Sequence, residues 1–324
     1  MSGRYEKEMM FEERINKKIA YAPQVLTEYY YSLIGAGKSY ATTYNYINYI
    51  MSFLNYTFKD KCPEDFYLKV RAMHVNKYIS SLRTREVKGE IKRTSDSIRT
   101  VQWSALNSFF QFLIPDYITD NPVANTQRPQ MKDNPHVTYL TQDEIASVLK
   151  NAEIKATKKM VNRDLCMLKI GFGIGLRASA IVQIDINDVD MSRNRIRVTE
   201  KGDRDGYVLF GDNLKQQLAL WLEDREKYFG HYKTNALFVS QMGKRISALR
   251  LSELVAKYAE GATDKHVTPH VMRHSCATNL YEKTGDIYLC AQQLNHKNVT
   301  TTQRYAEISN ARQREAANIL DDLI

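Results

Sequence analysis

The segment VTPHVMRHSCATNLY places His270 three residues before Arg273. Residues three apart on a helix are neighbours, so an imidazole and a guanidinium here would point into one pocket. There the forked donors of the arginine can grip two oxygens of a phosphate. Thr268 can cap that helix, and Pro269 suits its first turn. A His-x-x-Arg pair by itself is common on solvated helices, and its weight comes from the residues around it. Upstream stand Arg177 in GIGLRAS and Lys201 at the start of a glycine-containing turn; downstream stand His296 in LNH and Tyr305 in TTTQRYAEI. Among 21 tyrosines, Tyr305 is marked out only by the LNH segment before it, and His274, beside Arg273, reads as a structural histidine.

The elements that must carry these residues can be read from periodicity. In the first third, Tyr44, Ile47, Met51 and Leu54 fall on one helical face, as do Leu106, Phe109, Phe110 and Leu113, which predicts a small helical bundle. Between those helices LRTREVKGEIKR reads as a charged loop, either solvated or tracking phosphates. The polar stretch around Pro129 and Pro135 has no periodicity and reads as a linker. Thr141 and Glu144 then have the spacing of a capping box and open a second domain. Within it, RIRVTEKGDRDGYVLF alternates on both sides of a glycine-bounded turn, a hairpin signal, between helical faces at Leu214, Leu218 and Trp221 and at Leu251, Leu254 and Tyr258. The glycines of GFGIGLR are spaced by two and follow no strand, so a phosphate loop is discounted. The expected fold is mainly α with a small β-sheet in the second domain. Its parts are a segment 1–20, a helical domain 21–127, a linker 128–138, a second domain 139–308 and a tail helix 309–324.

In motif order, the sequence of Arg177, Lys201, His270, Arg273, His296 and Tyr305 over about residues 136–310 resembles the tyrosine recombinase and phage integrase family. The resemblance implies a helical core-binding, DNA-binding bundle followed by an α+β catalytic domain, with those six residues around one scissile phosphate. It implies a site-specific DNA recombinase of a mobile-element kind, working through a 3′-phosphotyrosyl intermediate for integration, excision, inversion or resolution. It further implies a homo-tetramer on paired sites of double-stranded DNA, with exchange of C-terminal tails. Two departures stand out: Ala180 where the family usually has Glu, and Leu294-Asn295-His296 where LGH is common. The first removes a group that would orient its neighbours, and neither removes one that touches the phosphate. A type IB topoisomerase that relaxes supercoils, and a DNA-binding protein of the same fold without efficient catalysis, are the competing readings.

The residue types suit such a reaction. Attack on a phosphodiester builds negative charge on the phosphorane oxygens, and fixed cationic donors lower that barrier. Arg177 and Arg273, always charged, with His270 and His296 can do what a metal ion would, so no cofactor and no metal is expected. A phenol with an ordinary pKa of about 10 needs a base or a cationic setting, for which His270 is the candidate base. Lys201, among cations, can protonate the leaving 5′-oxygen, a role the resemblance also assigns to it.

Composition agrees with a polyanionic partner. The 324 residues are 43% hydrophobic, enough for two cores, and carry a net charge of +9. Candidate DNA contacts are Arg83, Arg85, Lys88, Lys92, Arg93, Arg99, Lys244 and Arg245. Cys62, Cys166, Cys276 and Cys290 are scattered, without a metal-ligand or disulfide pattern, which points to a reduced, cytoplasmic setting. The charged first residues and the lack of a long apolar run predict neither export nor a membrane span.

Overall fold

A computed structural model describes residues 3–59, 61–87, 89–130, 138–199 and 205–294 of the chain. It divides into two compact units, Met1–Asn134 and Pro135–Ile324.

The first unit is a helical bundle: α1 (Gly3–Ile19), α2 (Gln24–Gly35), α3 (Tyr40–Phe58), the single turn α4 (Phe66–Lys69), α5 (Ala72–Ser81) and α6 (Asp96–Phe112). Its core is rich in aromatic rings. Phe53, Phe66, Phe109 and Phe110 are fully buried and meet edge-to-face or stacked, the arrangement that ring quadrupoles favour. The faces expected from periodicity are the buried ones: Ile47 and Leu54 on α3, and Leu106, Phe109, Phe110 and the adjoining Leu113, lie inside, with Tyr44 and Met51 packed at the edge. The charged first segment also contributes, since Ile15 and Ile19 of α1 belong to the same core. The expected charged loop between α5 and α6 is instead an antiparallel hairpin, β1 (Thr84–Val87) with β2 (Glu90–Arg93). Gly89 turns it at φ +81°, a left-handed conformation that costs glycine nothing. The strands were not legible because their alternation is among charged residues; the one large apolar side chain described there, Ile91, is 79% exposed.

The second unit is mainly helical around a small sheet: α7 (Gln142–Lys155), α8 (Val161–Gly173), α9 (Ala178–Gln183), a 3-10 turn Ile186–Asp188, β3 (Val189–Asp190), β4 (Arg195–Thr199), β5 (Asp205–Leu209), α10 (Asp212–Phe229), α11 (Ala248–Ala259), α12 (Pro269–Thr284) and α13 (Ile287–Gln293). The three strands run antiparallel in the order β3-β4-β5, with Ile196 opposite Val208 on the buried side. The capping box at α7 is formed: the Glu144 amide donates to Thr141 Oγ1 at 3.3 Å, and the Thr141 amide donates to Glu144 Oε2 at 2.8 Å. One glycine of GFGIGLR serves helix packing. A Cβ on Gly171 would lie 2.6 Å from Met272 Cε, so glycine there lets α12 lie close against α8. Among the described residues, no helix is long and apolar enough to cross a membrane.

Candidate active site

Helix α12 starts where its sequence says it should: the Val271 amide donates to Thr268 Oγ1 at 3.3 Å, and Pro269 is in the first turn, where its missing N–H costs nothing. On this helix His270 is exposed, whereas Arg273, one turn on, is only 5% exposed. Burying a guanidinium requires acceptors. Arg273 finds them in two backbone carbonyls: Nη1 donates to Gly175 O and Nη2 to Leu294 O, each at 2.7 Å. Those carbonyls belong to the two segments the sequence singled out. Gly175 precedes Arg177 by two residues, and Leu294 precedes His296 by two.

Arg177 is exposed and is the N-cap of α9, with extended backbone that turns the chain out of the loop after α8. Lys201, His296 and Tyr305, and the tail 309–324, lie outside the described residues; the strands flanking the Lys201 turn are β4 and β5. Ala180, where the family usually has Glu, is half-buried and packs on the core of the second unit. The helix is fastened along its length as well: Ser275 Oγ donates to Val271 O at 2.7 Å and accepts from the Leu140 amide at 2.8 Å, and Asn279 donates to Leu140 O at 3.0 Å.

The basic residues named as DNA contacts fall into two physical groups. Arg83, Arg93 and Lys244 are exposed. Arg85 and Lys92 are paired across the β1–β2 ladder, and Lys88, in its turn, lies outside the described residues. Arg99 and Arg245 are instead engaged within their own units. Arg99 is mostly buried and ion-paired with Asp96 one turn away, and Arg245 is ion-paired with Asp185 while donating to the carbonyls of Val182 at 2.9 Å and Ile184 at 3.3 Å. The four thiols are free. Burial pushes Cys276 up to about 12 and Cys62 and Cys290 up to about 11, which makes them poor nucleophiles at neutral pH.

Sequence reasoning gave no functional role to Gly175 or to Leu294. The available signal was the glycine two places before an arginine at the end of a helical run, a position where a helix commonly ends left-handed.

With this geometry in place, the chain can be compared with known proteins. The model of the phage integrase family matches residues 138–312, more than half of the chain and all of the second unit's described part. The tyrosine recombinase XerC of Vibrio vulnificus (strain YJ016) is 33% identical over 207 residues, which are 63% of this chain and 64% of the relative, so the match spans somewhat less than two thirds of that protein. Two solved structures share the fold. One is the XerH site-specific recombinase bound to palindromic difH substrate in a post-cleavage complex, at TM-score 0.65 and 22% identity, covering 87% of this chain and 80% of that one. The other is a lambda integrase tetramer bound to a Holliday junction, at TM-score 0.65 and 17% identity, covering 87% and 76%. The extent of the family match, over a unit whose buried arginine joins the segments that carry Arg177 and His296, establishes that the chain belongs to the phage integrase family.

Proposed function

We propose that the chain is a site-specific DNA recombinase that breaks and rejoins duplex DNA through a 3′-phosphotyrosyl bond to Tyr305. The observation that carries this reading is the bridge made by Arg273: one guanidinium is bonded to the loop leading to Arg177 and to the turn leading to His296. Gly175 and Leu294, 98 and 21 residues from Arg273 in sequence, thereby meet at one guanidinium, and His270 stands one turn away on the same helix.

In this reading Arg177, Arg273 and His296 stabilise the charge that develops on the phosphorane oxygens. His270 draws the proton from the Tyr305 hydroxyl as its oxygen attacks phosphorus. The bond to the 5′-oxygen breaks, and Lys201 supplies the proton that this oxygen takes. The phosphotyrosyl ester keeps the energy of the broken bond, so attack by a 5′-hydroxyl of another strand reseals the DNA and restores the tyrosine without ATP. The exposed Arg83, Arg93 and Lys244 would hold phosphates outside the cleavage site. Work on two paired sites calls for four copies of the chain, linked through residues 309–324. The XerH and lambda integrase neighbours lie on DNA, the latter as a tetramer, which supports this assembly.

Ala180 favours one competing reading, a binding protein of the same fold: its methyl packs on the core where the family usually places a carboxylate. A nicked suicide substrate separates the two. Incubated without metal or ATP, the wild-type chain should form a denaturation-resistant adduct with DNA, and Tyr305→Phe should form none. Specific binding without an adduct in the wild type would favour the binding protein.

A further inference from the structure

We infer that Gly175 is a positioning residue for strand cleavage, keeping the segments of Arg177 and His296 in place through Arg273 and Leu294; this rests on the recombinase reading above. Gly175 follows α8 with φ +75°, and its amide closes the helix end by donating to Ile170 O at 3.1 Å. That left-handed turn presents its carbonyl to Arg273 Nη1. A residue with a Cβ adopts this conformation at a cost.

Space is the second constraint. A Cβ at this position would lie 2.6 Å from Leu294 Cδ2 and 3.1 Å from Cys276 Sγ. Both neighbours are buried, and Leu294 packs against Ala277. Leu294 is at once the side chain that covers Gly175 and the carbonyl that binds Arg273 Nη2. Three separate parts of the chain, the turn after α8, helix α12 and the residue after α13, therefore close on one another as a unit. A side chain at 175 must displace the end of the Leu294 side chain, on the residue whose carbonyl anchors Arg273. The guanidinium that joins both carbonyls would lose its alignment too, and displacements of about 1 Å in a reacting constellation can cost about 100-fold in rate.

The test is made in the full-length chain on the nicked substrate, comparing wild type, Gly175→Ala, Leu294→Ala and the double variant. Three quantities are read: single-turnover adduct formation, DNA affinity and the thermal unfolding midpoint. Gly175→Ala should slow adduct formation by about 100-fold while DNA affinity stays within about threefold, a split that places the loss after binding. In the double variant the collision is removed, and adduct formation should recover about tenfold over Gly175→Ala, although the left-handed backbone still carries its strain. Gly175→Ala cleaving within about threefold of wild type would overturn the inference. So would losses in both Gly175→Ala and the double variant that merely follow lost folding or lost DNA binding. A wild-type chain that binds its DNA yet forms no adduct points to failure of the recombinase reading itself.

Discussion

Adjacent in the chain, Lys244 is exposed, whereas Arg245 is half-buried, ion-paired with Asp185 and bonded to the carbonyls of Val182 and Ile184. Removing a donor from the carbonyl of a buried residue, here Val182, costs more than removing a solvated charge. Arg245→Ala should therefore lower stability by about 1–3 kcal/mol, read as a fall in the denaturant midpoint. Lys244→Ala should leave the midpoint in place and weaken DNA binding in a salt-dependent way. Equal loss of DNA affinity with no loss of stability in Arg245→Ala would show that its guanidinium turns outward to DNA. The sequence offers no means to tell these two apart, because Asp185 is 60 residues from Arg245 and meets it only in the folded unit. The same holds for Arg273. Its spacing from His270 was legible, being local to one helix, but its burial and its two carbonyl partners, 98 and 21 residues away, were not.

At the scale of elements, what was legible was what the chain encodes over a few residues. The box of Thr141 and Glu144 is three residues wide and forms as expected. The β4–β5 hairpin declared itself through buried alternation at Ile196, Val198 and Val208. Strand β3, only Val189–Asp190, has no pattern of its own and exists through pairing with β4. Glu144 does more than cap α7, since it also accepts from Thr263 at 2.7 Å and from Lys265 at 2.7 Å, tying the start of α7 to the segment that leads into α12. Burial raises its carboxyl, but the bonds from Lys265, Thr263 and the Thr141 amide outweigh that and hold it down to about 2. An unfolded glutamate, near 4.5, takes its proton first as pH falls, so the stability from Glu144 is complete above about 4.5 and is lost toward 2. Glu144→Gln should thus be less stable than wild type at pH 7, with the difference shrinking between about pH 4.5 and 2. Urea midpoints at half-unit steps of pH check this, and a difference that stays constant across the window would exclude Glu144 as the linked group.

For the whole molecule, each unit has a core drawn from its own residues, one running from Ile15 to Val123 and the other from Leu140 to Met272. Units of this size can bury enough surface to fold alone. The chain's two tryptophans divide between them. Trp103 of the first unit donates to Thr126 Oγ1 at 2.7 Å, and Trp221 of the second is fully buried and donates to Leu237 O at 3.0 Å. Trp221→Phe then leaves fluorescence that reports the first unit, and Trp103→Phe leaves fluorescence that reports the second. In denaturant the two signals should give separate cooperative transitions, because neither core needs the other to close. Coincident midpoints, also coincident with the loss of helical circular dichroism, would instead show one cooperative body. Candidate duplex DNA extends the test to function. A ligand that binds only the folded form raises stability by RT ln(1 + [L]/Kd), and it does so only for the parts it holds. If the exposed Arg83 and Arg93 of the first unit and the Arg177 site of the second both grip one duplex, both midpoints should rise. A rise confined to the Trp221 signal would place DNA binding in the second unit alone and remove the β1–β2 hairpin from the interface.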